Sequence, residues 1–168
     1  MRKCLICNEL IDPFISFGKM PIANGFLAQN EFKDEYFFEL KAAFCQTCGM
    51  VQLIEQPDRE KMFNKNYAFF SGTSKRMAGH FKEFAEHVLA DYIKTKNPFI
   101  VEIGSNDGIM LKNFSIKNIR HLGIEPSLNV AEVARGKGIN TICEFFDETA
   151  AKKIVAQYGQ ADTFLGAN

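Results

Sequence analysis

The rhythm of apolar positions changes twice along the chain. Up to about residue 56 they fall in short groups, Leu5-Ile6, Phe14-Ile15-Ser16-Phe17 and the alternating Tyr36-Phe37-Phe38-Glu39-Leu40-Lys41. Turn formers separate them at Asp12-Pro13, Gly18, Pro21 and Asn24-Gly25, a pattern that predicts short strands. Pro57-Asp58 opens a short helix, and residues 64–73 read as a loop. Beyond it Met77, Phe81, Phe84, Ala85, Val88 and Tyr92 recur at helical spacing. Ser74 is the predicted N-cap of a helix running to about Lys94 and packing on the sheet that follows. After Pro98, strands are predicted at 99–103, 120–124, 140–143 and 162–166, and helices at 108–114, 128–135 and 148–158. Strands alternating with helices imply an α/β fold with a parallel sheet and right-handed crossovers. The expected organisation is a small lobe over 1–56, a linker and connecting helix over 57–97, and the α/β domain over 98–168.

Composition narrows the classes. The 168 residues are 46% apolar and include 17 phenylalanines, enough for a packed core. Twenty basic and twenty acidic side chains cancel, so no overall field favours nucleic acid or an anionic membrane. No apolar run approaches the length of a membrane span. A cysteine motif follows Met1-Arg2-Lys3 directly, which argues against a signal peptide. Reduced thiols and a cytoplasmic location are expected.

The early lobe is too small to bury a sufficient core, so a metal staple makes physical sense. Cys4-x-x-Cys7 and Cys45-x-x-Cys48 carry zinc-ligand spacing. Each pair is followed by a residue that tolerates the left-handed region, Asn8 and Gly49. Four thiolates leave no open position for water, so the expected Zn²⁺ is structural. Buried free cysteines are the plainer alternative, and disulfides or a thioredoxin-like redox pair are weaker ones. Acidic residues interleave with the basic ones in the lobe, which argues against a nucleic-acid-binding zinc ribbon. Cys143 reads as core.

The α/β region holds a second signal, Val101-Glu102-Ile103-Gly104-Ser105-Asn106-Asp107-Gly108 followed by Gly123-Ile124-Glu125-Pro126. This is the layout of a Rossmann-like nucleoside site: strand, glycine loop, helix, and a second strand ending in an acid. Gly104 and Gly108 let the backbone turn and admit a ligand, and a helix starting near Gly108 would offer free amides. Glu125 is placed to accept hydrogen bonds from both ribose hydroxyls. A dinucleotide fingerprint wants glycine where this chain has Asn106 and Ile109. Glu102, before the first glycine, instead fits an S-adenosylmethionine site, where it can engage the cationic methionine end. A plain strand–helix turn with an exposed Glu125 is the alternative.

With these residues the whole chain resembles the zinc-containing, S-adenosylmethionine-dependent sugar C-methyltransferases, which act on nucleotide-linked 4-keto deoxysugars. The resemblance also rests on Tyr67-Ala68-Phe69-Phe70-Ser71-Gly72-Thr73-Ser74 with Met77 and His80, and on Ala167-Asn168. It implies a cofactor held by Gly104, Asn106, Asp107 and Glu125, with Phe145 or Phe146 walling the adenine. It places Ser71 and Gly72 beside the methionine end, in a segment covering the cofactor, and Asn168 at the start of the loop after the fourth strand. Tyr67 is the implied candidate near the sugar, with packing as its alternative.

The implied partner is a nucleotide-sugar substrate, with no nucleic acid and no membrane. The implied catalytic base is a histidine downstream of Asn168, while His80, His87 and His121 read as structural. Four strands are legible where such a sheet usually has seven. The expectation is therefore a truncated form, inactive alone, that associates with a missing C-terminal half or with itself. The alternative is a non-catalytic zinc- and nucleoside-binding remnant acting through another chain.

Overall fold

The computed structural model describes residues 2–167, and Asn168 lies outside them. The chain divides into two compact units, 1–62 and 63–168. In the first, β1 (Arg2–Lys3) pairs with β2 (Leu10–Ile11), and β3 (Pro13–Pro21), β4 (Phe37–Phe44) and β5 (Val51–Leu53) form an antiparallel sheet. A four-residue helix, α1 (Arg59–Met62), closes the unit. Its buried core is Cys4, Ile11, Ala43 and Cys45, so sulfur takes the place that larger aliphatic side chains fill in bigger domains. Two sequence expectations change here. Leu5-Ile6 is a turn rather than a strand, because it forms the tip of the first cysteine knuckle. Gly18 and Pro21 do not break the chain: both lie within β3, where Gly18 takes φ 73° and the register slips between Ser16 and Lys19. The glycine is absorbed as a bulge.

The second unit is a parallel sheet of β6 (Phe99–Ile103), β7 (Arg120–Ile124), β8 (Thr141–Ile142) and β9 (Thr163–Gly166), in the order β8-β7-β6-β9. The helices are α2 (Lys75–His87), α3 (Lys112–Ser115), α4 (Leu128–Gly136) and α5 (Glu148–Tyr158). Alternation along β6 sends Ile100 to one face, with Ala85 of α2, Val88 just beyond its end, Phe114 of α3 and Ala134 of α4. Phe99 and Val101 go to the other face, with Ile154 of α5. Helices cover both faces, so the strands read as apolar runs. The first three strands are laid down in one direction and β9 returns to the far side of β6. That reversal makes the doubly wound, Rossmann-like fold and leaves its switch point between β6 and β9.

Ser74 caps α2 as expected, its hydroxyl accepting from the Met77 amide. The helix passes into a π turn over Val88–Tyr92, which carries Tyr92 out to 68% exposure instead of into the core. The helix expected over 108–114 is regular only at Lys112–Ser115. Gly108, at φ 77°, delays it, so no long helix dipole points at the loop.

Candidate metal centre and cofactor site

In the first unit two knuckles repeat one geometry. The Cys4 amide donates to Glu9 O and the Asn8 amide to Cys4 O. The Cys45 amide donates to Met50 O and the Gly49 amide to Cys45 O. Asn8 and Gly49 take φ 62° and 74°, the left-handed turn that closes each knuckle. Cys4, Cys7, Cys45 and Cys48 converge with their sulfurs all within 4.8 Å of one another, Cys4 to Cys48 at 3.6 Å and Cys7 to Cys45 at 3.4 Å. A tetrahedral Zn²⁺ at about 2.3 Å from each thiolate sets sulfur–sulfur edges of about 3.8 Å. The donor set therefore fits zinc, with no fifth position for chemistry.

The Cys7 and Ile6 amides pull the Cys4 thiol down to about 6. At Cys7 the Glu9 amide acts in the same sense, but burial and the neighbouring sulfurs outweigh it and push the thiol up to about 12. Crowded sulfurs resist full ionisation until a cation sits among them. Gln52 is a further member that sequence reasoning missed. It is buried, its Nε2 donates to Cys4 Sγ at 3.1 Å, and its Oε1 accepts from the Leu5 amide at 2.9 Å. A polar residue inside the short β5 was the available signal.

In the second unit the glycine loop leaves the end of β6 at the switch point. Gly104, Asn106 and Gly108 take φ 62°, 49° and 77°, so asparagine supplies the central left-handed position. A Cβ on Gly108 would lie 2.8 Å from Ile139, so the loop sits directly on the α4–β8 turn. Glu125 is buried at the end of β7, where its Oε2 accepts from the Asn106 amide at 3.0 Å and its Oε1 from the Ser127 amide at 2.8 Å. Each oxygen retains further acceptor capacity. Glu102 is 2% exposed, and burial first, with the Glu125 charge second, pushes its carboxyl up to about 8.

Among the described residues, the buried side-chain oxygens without a partner are Glu102 Oε2, Ser105 Oγ, Ser127 Oγ and Asn129 Oδ1. They belong to the end of β6, the glycine loop, and the segment leaving β7. Orphaned polar atoms are rare in folded proteins and call for an explanation. A polar ligand seated at this end of the sheet supplies one.

The other sequence-derived residues divide into two groups. Ser71 and Gly72 lie against the loop: the Ser71 amide donates to Asn106 Oδ1 at 2.8 Å, and the Gly72 amide to Asp107 Oδ1 at 3.1 Å. Asn106 and Asp107 thus spend their side chains on this strap. The Tyr67 carbonyl accepts from Asn129 Nδ2 at 2.8 Å, and its ring meets Phe63 at 5.6 Å. Phe145 and Phe146 point to different neighbours: Phe145 meets Phe63, while Phe146 meets Phe164 of β9 at 5.3 Å.

His80 lines a 290 Å³ cleft with Met77, Phe81, Met110, Gly166 and Ala167, at the carboxyl end of β9. His121 is buried, bonding Ile119 O and accepting from the Asn140 amide. His87 pairs with Asp91. Cys143 donates to Pro126 O from a half-buried position.

Metal knuckles in one unit and a nucleoside-type loop in the other define the class: a zinc-binding domain joined in one chain to a Rossmann-like cofactor domain. Residues 4–63 match the family described as "Putative zinc binding domain". Over 167 residues the chain is 25% identical to the C-methyltransferase NovU of Streptomyces niveus, covering 98% of this chain and 39% of NovU.

Solved structures similar to it include a SAM dependent methyltransferase from Archaeoglobus fulgidus, 16% identical, with 45% of this chain and 32% of that one covered and a TM-score of 0.36. Another is the plantazolicin methyltransferase BpumL in complex with SAH, 24% identical, with 45% and 31% covered and a TM-score of 0.33. The chain spans well under half the length of each of these relatives. No helix among the described residues is long and apolar enough to cross a membrane.

Proposed function

We propose that this chain is the zinc- and cofactor-binding portion of a cytoplasmic S-adenosylmethionine-dependent C-methyltransferase, whose substrate is a nucleotide-linked keto-deoxysugar. The observation that carries the cofactor is the set of four orphaned oxygens around the glycine loop and the two strand ends beside it. Glu125 offers its spare acceptor sites to two ribose hydroxyls. Glu102 meets the methionine ammonium, a partner that favours the carboxylate over the protonated form. Ser105 and Ser127 hydroxyls serve the remaining polar groups, and the strap containing Ser71 and Gly72 excludes water above them.

Bound S-adenosylmethionine supplies an electrophilic methyl group for the carbon beside the sugar's keto group. The chain's own part in the reaction is to align two reactants. The substrate class is supported by the motif resemblance, and methyl transfer to carbon by the likeness to a C-methyltransferase. The zinc thiolates build the first unit and take no part in the chemistry.

A second reading draws on the open β9 edge. Phe164 is 51% exposed there and Phe146 39%, and an apolar edge of this kind invites another chain. On that reading the protein binds zinc and nucleoside, and acts through association.

The test is calorimetric titration of S-adenosylhomocysteine and S-adenosylmethionine into the zinc-loaded chain, beside Glu125→Ala, in buffers of different ionisation enthalpy. Saturable binding that is lost in the variant, with proton release near pH 7 from Glu102, is the expected result. A folded, zinc-containing chain that binds neither ligand refutes the cofactor reading.

A further inference from the structure

Lys137 stands outside every motif in the sequence, yet it sits under the strap. It is the C-cap of α4, where its amide reaches Val133, Ala134 and Arg135 carbonyls. Gly138 follows at φ 77° and turns the chain so that Ile139 packs under Gly108. That turn aims the Lys137 ammonium at Asp107, donating to Oδ2 at 2.8 Å and to the Asp107 carbonyl at 3.2 Å. The Asp107 side chain is 4% exposed and that of Lys137 45%, so an acid sunk beneath the surface is neutralised by a lysine reaching in from solvent.

The same carboxylate accepts from the Gly72 amide, at 3.1 Å to Oδ1 and 3.2 Å to Oδ2. Its neighbour Asn106 holds the other end of the strap, accepting from the Ser71 amide and donating to Phe69 O at 3.1 Å. Gly72 admits this approach only because it lacks a side chain: a Cβ there would lie 2.3 Å from Asp107 Oδ2.

We propose that Lys137 is a positioning residue which, through Asp107, latches the Phe69–Gly72 strap onto the glycine loop and so prebuilds the roof of the cofactor site. Without the ammonium, the buried carboxylate keeps only backbone donors and must be hydrated. Water reaching Asp107 competes with the Gly72 amide, and the strap lifts. Lys137 touches no ligand, and its effect on affinity is the share of molecules whose strap is already seated. Only the consequence for affinity rests on the cofactor reading; the latch itself does not.

The experiment compares the wild-type chain with Lys137→Gln and Lys137→Arg, by amide hydrogen exchange across residues 67–74 and by S-adenosylhomocysteine titration. Exchange at Ser71 and Gly72 is expected to quicken at least tenfold in Lys137→Gln and to return toward wild type in Lys137→Arg. Exchange in β6 and β7 should stay unchanged, which separates the latch from general loosening. Affinity should fall about five- to tenfold in Lys137→Gln, within the usual range for a coupling through a second residue. Unchanged strap exchange in Lys137→Gln overturns the latch. Faster exchange with unchanged affinity overturns its role in building the site. Absence of binding to the wild-type chain strikes the cofactor reading instead, and the exchange comparison still decides the latch.

Discussion

Glu102→Gln is the perturbation that most directly interrogates the site's electrostatics. In the unfolded chain this carboxyl titrates near 4.5, and in the folded protein near 8. Below pH 4.5 both states hold the proton and the residue is neutral to stability. Between 4.5 and 8 the unfolded chain releases its proton while the folded one keeps it, so rising pH removes stability, and the loss is complete above 8. At about 1.36 kcal/mol per factor of ten in proton affinity, the full penalty is bounded at roughly 4–5 kcal/mol. Between pH 5.5 and 8.5 it grows by about 3 kcal/mol.

Glutamine keeps the shape of the protonated acid and cannot ionise. The stability of Glu102→Gln minus wild type should therefore widen by about 3 kcal/mol across that interval, on the order of 10 °C in Tm. Far-ultraviolet circular dichroism follows α2, α4 and α5, which all belong to the second unit. The zinc thiolates titrate alike in both proteins and cancel in the difference. A difference that stays flat with pH would refute the reasoning, since it would mean the folded carboxyl ionises normally and water reaches it.

Three further outcomes follow from the geometry. Zinc analysis should find one ion per chain, and Cys48→Ser or exhaustive chelation should release it and unfold the first unit, with the helical signal of the second retained. Phe114→Ala, which empties a fully buried position between α3 and the sheet, should cost about 3–5 kcal/mol by chemical denaturation. Ser74→Ala, which leaves the Met77 amide without its cap, should cost about 1 kcal/mol and fray the start of α2 in amide exchange.

Much of the protein is local and was therefore legible. Two Cys-x-x-Cys pairs fix their own knuckles, because a left-handed residue after each pair turns amides toward sulfur. Strands β6 and β7 and helix α5 have the bounds their periodicity indicates, since burial on alternate faces writes itself into the order of side chains. The glycine loop and its acid were legible for the same reason, as backbone conformations that only certain residues adopt.

What sequence could not supply are the features made by distant segments meeting. The order β8-β7-β6-β9 places the switch point beside Glu102, and burial there, with the Glu125 charge second, makes that acid a weak one. Asn106 and Asp107 stand in the motif as candidate cofactor residues, and the fold also ties their side chains to a strap more than thirty residues away in sequence. Lys137 carries no local signature at all, and Gln52 only its polarity inside a short strand. A lysine after a helix and a polar residue in a short strand are ordinary until tertiary packing brings a buried carboxylate or a thiolate within hydrogen-bonding distance. Local chemistry decided the elements and their candidate ligands; the closure of the chain on itself decided which of those groups face one another.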